Sequence, residues 1–112
     1  MILGTGIDIV DLPRFKLIAN DQKFLITYFS KSEMILKIES LAGRFAAKEA
    51  FFKALTDQEI FNWEDIEVIK QSNGAPRFNF RNKLAEFALD KNIHLSISHS
   101  GDSVIAFVII EN

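Results

Sequence analysis

The sequence predicts an α+β fold in which an antiparallel sheet packs against a long central helix. An apolar strand pattern occupies residues 2–10, and two further alternating strands, 94–98 and 104–110, lie late in the chain. Between them, residues 41–55 form an Ala-rich stretch with no Pro, typical of a helix. Strands at both ends with helices between them favour an α+β arrangement over alternating parallel units.

Length and composition favour one ordinary globular domain spanning residues 1–112. Hydrophobic residues make up 48% and charged residues 25% of the 112 residues. The net charge of −2 argues against a dedicated nucleic-acid binder. No apolar run approaches the ~18 residues of a membrane span, and the start lacks the pattern of a signal peptide. The absence of Cys excludes disulfide chemistry and fits a reducing cytoplasm.

The first strand is followed by a series of helices. Asp11 is a good N-cap and Pro13 suits a first turn, so a helix is expected to run through Ile18. The remaining expected elements are a short helix at 24–29, a helix capped by Ser30 or Ser32 that is either separate from 41–55 or continuous with it, strands at 66–70 and 77–80 joined by Asn73-Gly74, and a helix at 81–89.

The 41–55 helix carries charged residues in unusual places. At about 100° per residue, Lys48 falls within the apolar arc of the helix, and Glu49 and Lys53 lie beside that arc. An ordinary explanation is an exposed ion pair between Glu49 and Lys53, with Lys48 extending its ammonium group to solvent. A functional explanation is a carboxylate and two ammonium groups at the edge of a site.

Asp8 lies on the strand face that also carries Gly4 and Gly6. Two missing side chains beside a carboxylate leave open backbone, which a ligand site would need. The alternative is that Asp8 ends the strand and bonds nearby amides. If Asp8 and Glu49 were brought together, they would suit Mg²⁺, which keeps several waters and also binds phosphate oxygens. Zn²⁺ fits less well, because there is no Cys and only two His.

The segment HLSISHS places His94 on one face with Ser96, Ser98 and Ser100. That face is too polar for a simple core layer, although the solvent face of an edge strand would look the same. His99 falls on the apolar face and is expected to be structural.

Three segments together, GTGIDIVDLPR, LAGRFAAKEAFFKAL and HLSISHSGDSVIAFVIIE, closely resemble the bacterial holo-acyl-carrier-protein synthases, the small class of 4′-phosphopantetheinyl transferases. The resemblance extends over nearly the whole chain and implies the fold of that family. It implies Mg²⁺-dependent transfer of 4′-phosphopantetheine from coenzyme A to a serine of apo-acyl carrier protein, which releases adenosine 3′,5′-bisphosphate. It also implies a cytoplasmic enzyme of fatty acid biosynthesis and a homotrimer with active sites between subunits.

The resemblance assigns catalytic roles to three residues. Asp8 and Glu49 match the family's Mg²⁺ ligands, and Lys53 matches a lysine near the pyrophosphate, from where it is expected to stabilise the departing phosphate. The base that deprotonates the acceptor serine stays open between Glu49, Asp8 and a metal-bound water.

The resemblance also assigns binding roles. Arg44, Lys48 and Lys53 match positions that hold the phosphates of coenzyme A, and His94 matches a residue near the coenzyme. Arg14 matches the position on the first helix that docks the acidic carrier protein.

Two features depart from the family pattern. Relatives usually carry a Gly-Thr-Gly type stretch after the Lys-Glu-Ala helix, where this chain reads ALTDQEIFNW, so its grip on coenzyme A is expected to differ. The basic first helix is diluted by Asp21. A binding module that holds coenzyme A or a carrier protein without catalysis, and a scaffold subunit, are the alternative functions. The three retained residues Asp8, Glu49 and Lys53 favour the enzyme.

Overall fold

Two antiparallel sheets and five α-helices make up the protein, whose computed structural model describes residues 1–112. The elements in chain order are β1 (Ile2–Asp11), α1 (Leu12–Ile18), α2 (Gln22–Tyr28), α3 (Lys31–Met34), α4 (Ile38–Ala54), β2 (Ile66–Lys70), β3 (Pro76–Phe80), α5 (Asn82–Ala88), β4 (Asn92–Ser100) and β5 (Ser103–Glu111). The predicted α+β class and its antiparallel pairing are confirmed. None of the helices has both the length and the apolar character needed to cross a membrane.

The larger sheet has the strand order β1-β5-β4, so strands from the two ends of the chain are hydrogen-bonded neighbours. Gly4 of β1 lies opposite Ile110 of β5, and Asp8 lies opposite Ala106. The smaller sheet is the β2–β3 hairpin, in which Val68 lies opposite Phe78. β1 and β4 are therefore the two edge strands of the larger sheet.

Helix α4 packs directly on β1, backbone against backbone. A Cβ atom added at Gly4 would collide with the carbonyl oxygen of Ala54, and one added at Gly6 would collide with that of Ala50. Ala50 and Ala54 are themselves buried. The expectation that Gly4 and Gly6 leave backbone open to a ligand was therefore wrong, because α4 fills that space. Because Gly4 and Gly6 have no side chains, α4 can pack close to the strand that carries Asp8.

Helices α3 and α4 are separate, a point that the sequence left open. Ser30 caps α3 in a capping box with Glu33, so Ser30 rather than Ser32 is the cap. The chain then leaves helical geometry before α4 begins at Ile38. This break lets the side chain of Glu33 reach the flank of α4 instead of lying on the same helix.

The face of the larger sheet that points away from α4 carries an uncovered apolar cluster on β1 and β5. Ile7 lies opposite Phe107, and Ile9 lies opposite Ile105. These side chains are exposed by 59%, 41%, 64% and 36%, respectively. We call these four residues the outer sheet face. Soluble monomers rarely leave such a cross-strand cluster open to water.

Candidate active site

A cleft of about 490 Å³ opens where β1, α1 and α4 meet. Asp8 contributes from β1, Arg14 from α1 and Glu49 from α4, together with the aromatic ring of Phe45. We call it the β1–α4 cleft. The structure thus brings together three residues that sequence patterns and family resemblance singled out separately.

Lys53 forms an ion pair with Asp8 at the edge of this cleft. Its Nζ lies 3.0 Å from Oδ1 of Asp8 and donates to the carbonyl oxygen of Ile7, also at 3.0 Å. The side chain of Lys53 is half exposed, whereas that of Asp8 is only 15% exposed. The i,i+4 pair with Glu49 that an exposed helix face predicts does not form, because the lysine reaches across to β1.

Glu49 has no ion pair of its own, and its environment disfavours its negative charge. Burial raises the pKa of Glu49, the nearby Asp8 carboxylate raises it further, and Lys53 partly offsets both effects. Two carboxylates in one cleft are what a Mg²⁺ ion accepts from a protein when phosphate and water complete its shell. The chain brings together no group of three or more metal-ligating side chains. The donor set therefore fits Mg²⁺ held jointly with a phosphorylated substrate, rather than a closed structural metal site.

A second cleft of about 210 Å³ lies on the other side of α4. Arg44, Lys70 and His99 line it beside Gly43, and no carboxylate does. We call it the basic cleft, defined by Arg44, Lys70 and His99. Burial lowers the pKa of Arg44, and the charge of Glu33 partly offsets that effect. The resemblance pointed to Arg44, but the strand pattern treated His99 as structural.

His99 is exposed at the edge of the sheet. The sequence did offer one signal for this exposure, namely that His99 lies at the end of the apolar face, next to the turn. Side chains at that end of the strand are not covered by the helix. The imidazole lies beside Gly43 of α4, close enough that a Cβ atom at this position would touch it.

Lys48 does not line either cleft, and its predicted contact with the coenzyme was wrong. Its side chain is completely buried, with Nζ 2.6 Å from Oε1 of Glu33 and 2.8 Å from the carbonyl oxygen of Tyr28. Burial lowers the pKa of Lys48, while its contact with Glu33 acts in the opposite direction. An ammonium group enclosed in this way has no open side for a phosphate.

His94 lies outside both clefts of its own chain. It stands opposite Ile109 on the sheet face away from α4, and its Nε2 lies 2.7 Å from Oε1 of Glu111. The geometry of one chain therefore leaves the predicted coenzyme contact of His94 as a prediction.

Comparison with known proteins gives a consistent result. Residues 4–108 match the model of the 4′-phosphopantetheinyl transferase superfamily. The chain is 40% identical to a holo-[acyl-carrier-protein] synthase of Leifsonia xyli, an alignment that covers 99% of this chain and 98% of that protein. It is 43% identical to the synthase of Clostridium tetani, with 99% and 97% covered.

Solved structures agree. The holo-[acyl-carrier-protein] synthase of Neisseria meningitidis superposes with a TM-score of 0.86 at 29% identity, covering all of both chains. The Helicobacter pylori synthase, solved in complex with coenzyme A, superposes with a TM-score of 0.82 at 34% identity, covering 96% of this chain and 99% of that one.

Proposed function

The chain belongs to the 4′-phosphopantetheinyl transferase superfamily, and from this membership we infer that it is a holo-[acyl-carrier-protein] synthase. It transfers 4′-phosphopantetheine from coenzyme A to a serine hydroxyl of apo-acyl carrier protein. The serine oxygen forms a bond to the phosphorus of the pantetheine phosphate, the bond to the bridging oxygen breaks, and adenosine 3′,5′-bisphosphate leaves. The observation that carries this function is the meeting of Asp8, Glu49 and Lys53 at one cleft. A pure binding module or scaffold would not need all three.

The β1–α4 cleft is the proposed centre of the chemistry. Asp8 and Glu49 are the residues that would hold Mg²⁺, which when bound neutralises charge on the pyrophosphate. Phosphoryl transfer relies on positioning and charge stabilisation more than on covalent help from the protein. Lys53 is already fixed beside Asp8, 3.0 Å away. Its ammonium group is therefore placed to stabilise the phosphate that departs with the nucleotide. Among the protein's own side chains, Asp8 and Glu49 also remain the candidates for the base that deprotonates the acceptor serine.

The basic cleft is the proposed site for another phosphate of coenzyme A. Three basic side chains, with no carboxylate among the residues that line the cleft, favour a dianionic group. We therefore replace Lys48 with Lys70 and His99 as coenzyme contacts, and keep Arg44. This assignment supplies phosphate contacts that do not depend on the Gly-rich stretch missing after α4.

The two clefts lie on opposite sides of α4, which supports a homotrimer with active sites between subunits. Arg44 and Lys53 are nine positions apart, or about 180° around a helix at ~100° per residue. The clefts also border opposite edge strands, β1 and β4, of the larger sheet. One coenzyme molecule reaches both kinds of cleft if they come from neighbouring chains. The outer sheet face offers the apolar surface for such an assembly.

Arg14 is the proposed docking residue for the acidic carrier protein. It is exposed on α1 and lines the β1–α4 cleft, so a partner bound there would present its serine to Asp8 and Glu49. A charge at the rim of an interface acts mainly on association. We expect Arg14→Glu to raise the KM for the carrier protein strongly and to leave the affinity for coenzyme A nearly unchanged. Equal losses for both substrates would refute the docking role.

We also propose that residues 1–112 act as one transferase domain. The buried apolar residues form a single cluster of 20, which supports this division. A cytoplasmic role in fatty acid biosynthesis is proposed from the family resemblance alone.

The decisive experiment is to weigh the carrier protein by mass spectrometry. Apo-acyl carrier protein is incubated with coenzyme A, Mg²⁺ and the protein. The expected result is a gain equal to one phosphopantetheine group, lost in Glu49→Gln and retained in Glu39→Gln, an exposed glutamate at the start of the same helix. Binding of coenzyme A without any mass gain would identify a binding module. The absence of both binding and transfer would leave the scaffold function.

A further inference from the structure

Glu33 is a buried carboxylate that joins three elements of the fold. It is 1% exposed and accepts hydrogen bonds from the backbone N–H of Ser30 at 2.9 Å and of Val68 at 2.9 Å. It also receives the ammonium group of Lys48 at 2.6 Å. The start of α3, the strand β2 and the middle of α4 are thus tied to one side chain.

The contact with Val68 is informative because of where that residue lies. Its N–H and C=O both point away from the partner strand β3, so the hairpin leaves them unpaired. Glu33 accepts the N–H of Val68, and Nε of Arg44 donates to its carbonyl oxygen at 3.2 Å. The outer edge of β2 at Val68 is therefore held by Glu33 through the N–H and bonded to Arg44 through the carbonyl oxygen.

The hydrogen bond through Nε fixes how Arg44 faces the basic cleft. It is the only hydrogen bond that the guanidinium makes, so both terminal amino groups stay free. A guanidinium bound at Nε presents those two groups as a fork, the geometry that binds phosphate. Because the position of Val68 depends on Glu33, the orientation of Arg44 depends on it as well.

We propose that Glu33 is a positioning residue for coenzyme binding. Glu33 holds the edge of β2 against α4, so that the guanidinium of Arg44 is already oriented when a phosphate of coenzyme A arrives. The inference rests on the proposed function, and it adds a residue that touches no substrate. Lys48 supplies the positive charge that lets a carboxylate stay buried at this point. The ion pair with Glu33 therefore explains why a lysine lies within the apolar arc of α4, without any contact between Lys48 and the coenzyme.

The test compares two double variants that differ in whether side chain 33 keeps an oxygen acceptor for the backbone N–H groups of Val68 and Ser30. Glu33→Gln with Lys48→Met removes the buried ion pair but keeps an oxygen for the Val68 N–H. Glu33→Met with Lys48→Met removes that oxygen too. Replacing both members of a buried pair avoids the unpaired charge that a single substitution would leave. Direct binding of coenzyme A is measured by calorimetry, and KM and kcat by transfer assay.

We expect the Gln variant to bind coenzyme A within about twofold of the wild type. The Met variant should bind about tenfold more weakly, the scale of one unsatisfied backbone group. Its KM for coenzyme A should rise while its kcat changes little. Equal Kd values for the two double variants would overturn the proposal.

Asp65→Asn is the matched control, since Asp65 is also a buried carboxylate but bonds Asn82 at 2.8 Å, on α5. It should lower Tm without changing the Kd for coenzyme A. A wild-type protein that binds coenzyme A but transfers nothing would refute the proposed function and leave this inference open to the binding test.

A measurement on the wild type covers the case in which neither double variant folds. By NMR, the Nε proton of Arg44 should exchange slowly without coenzyme, in contrast to that of the exposed Arg14. Fast exchange at Arg44 would show that it is not held in place beforehand, and would equally overturn the proposal.

Discussion

Lys53 and Asp8 form an ion pair to which the proposed mechanism gives a role in the chemistry rather than in stability. The lysine side chain is 50% exposed, so solvent screens the attraction, and such pairs contribute about 0–1 kcal/mol to the free energy of unfolding. The same exposure keeps the ammonium group accessible to a substrate. A charge held in place before the substrate arrives costs no reorganisation when the transition state forms.

Lys53→Ala is therefore expected to lower kcat on the order of 10²-fold, because charge on the departing phosphate loses its partner. The affinity for coenzyme A should fall much less, and Tm should stay close to the wild-type value. Single-turnover kinetics and calorimetry separate these quantities. Lys37→Ala, an exposed lysine at the start of the same helix, is the control. A loss confined to affinity would make Lys53 a ground-state anchor instead.

The sequence singled out Asp8 and Glu49 from local periodicity, as a carboxylate among glycines and one beside an apolar arc. The structure places both at one cleft, and their catalytic roles stay predictions. The burial of Lys48 could not be predicted, since its partner Glu33 lies 15 residues away. Helical phase alone does not show which other element packs against a given face. His99 was misjudged for a similar reason: alternation gives the face of a strand but not where the covering helix stops.

The contact of α4 with β1 governs the geometry of the β1–α4 cleft. Asp8 and Glu49 are attached to two backbones that meet at Gly6 with no space between them. An added methyl group at this point has only main chain to displace, which is costlier than moving a side chain.

We expect Gly6→Ala to lower the free energy of unfolding by about 3 kcal/mol or more, beyond the usual cost of overpacking a core. Any folded fraction should also lose activity, because α4 moves away from Asp8. Urea denaturation measures the first effect and the transfer assay the second. Thr5→Ala changes the neighbouring, exposed position and should be nearly neutral. A stable, active Gly6→Ala protein would contradict the close packing described here.

The β2–β3 hairpin has an acid-sensitive contact of its own. The amide of Asn79 donates to Glu67 at 2.8 Å and is the main reason that the pKa of Glu67 lies below its ordinary value of 4.5. The unfolded chain therefore binds this proton at a higher pH than the folded chain does. The resulting stabilisation is present above pH 4.5 and is lost as the pH falls through the lower, folded pKa.

The free energy of unfolding of the wild type should accordingly fall more steeply below pH 4.5 than that of Glu67→Gln, which has no such proton to gain. Chemical denaturation at several pH values from neutral to acidic gives both curves. Parallel curves would show that Glu67 is not the group responsible.

Both hairpins could be predicted from the sequence, because alternation and the Asn73-Gly74 turn are local signals. The break between α3 and α4 could not, since residues 35–37 contain neither Gly nor Pro. That break is explained only by tertiary contacts, namely the burial of Glu33 against Lys48 and Val68.

For the whole molecule, the outer sheet face predicts assembly. Ile7 and Phe107 form a cross-strand pair near its middle, and each is more than one-third exposed. Burying a fully exposed side chain of this kind contributes about 1.5–3 kcal/mol, and these half-exposed side chains would contribute roughly half as much each. The same assembly would join a β1–α4 cleft to a neighbouring basic cleft.

The double substitution Ile7→Ser with Phe107→Ser should convert trimers to monomers in analytical ultracentrifugation and abolish transfer, although neither residue lies in a cleft. Ile35→Ser removes an isoleucine that is 85% exposed elsewhere and should leave assembly and activity intact. A monomeric wild-type protein with full activity would refute both the trimer and the shared sites.

The pairing of β1 with β5 has a consequence for the order of events during synthesis. The strand that carries Asp8 leaves the ribosome early, but its hydrogen-bonding partner, Ser103–Glu111, is made about a hundred residues later. Contacts between such distant segments form slowly and only after the intervening chain is available. Until then the bare edge of β1 and the alanine face of α4 are exposed together in the nascent chain, a state open to aggregation. A ribosome that stops before residue 103 therefore releases a chain that has both carboxylates of the proposed active site but lacks the strand that pairs with β1.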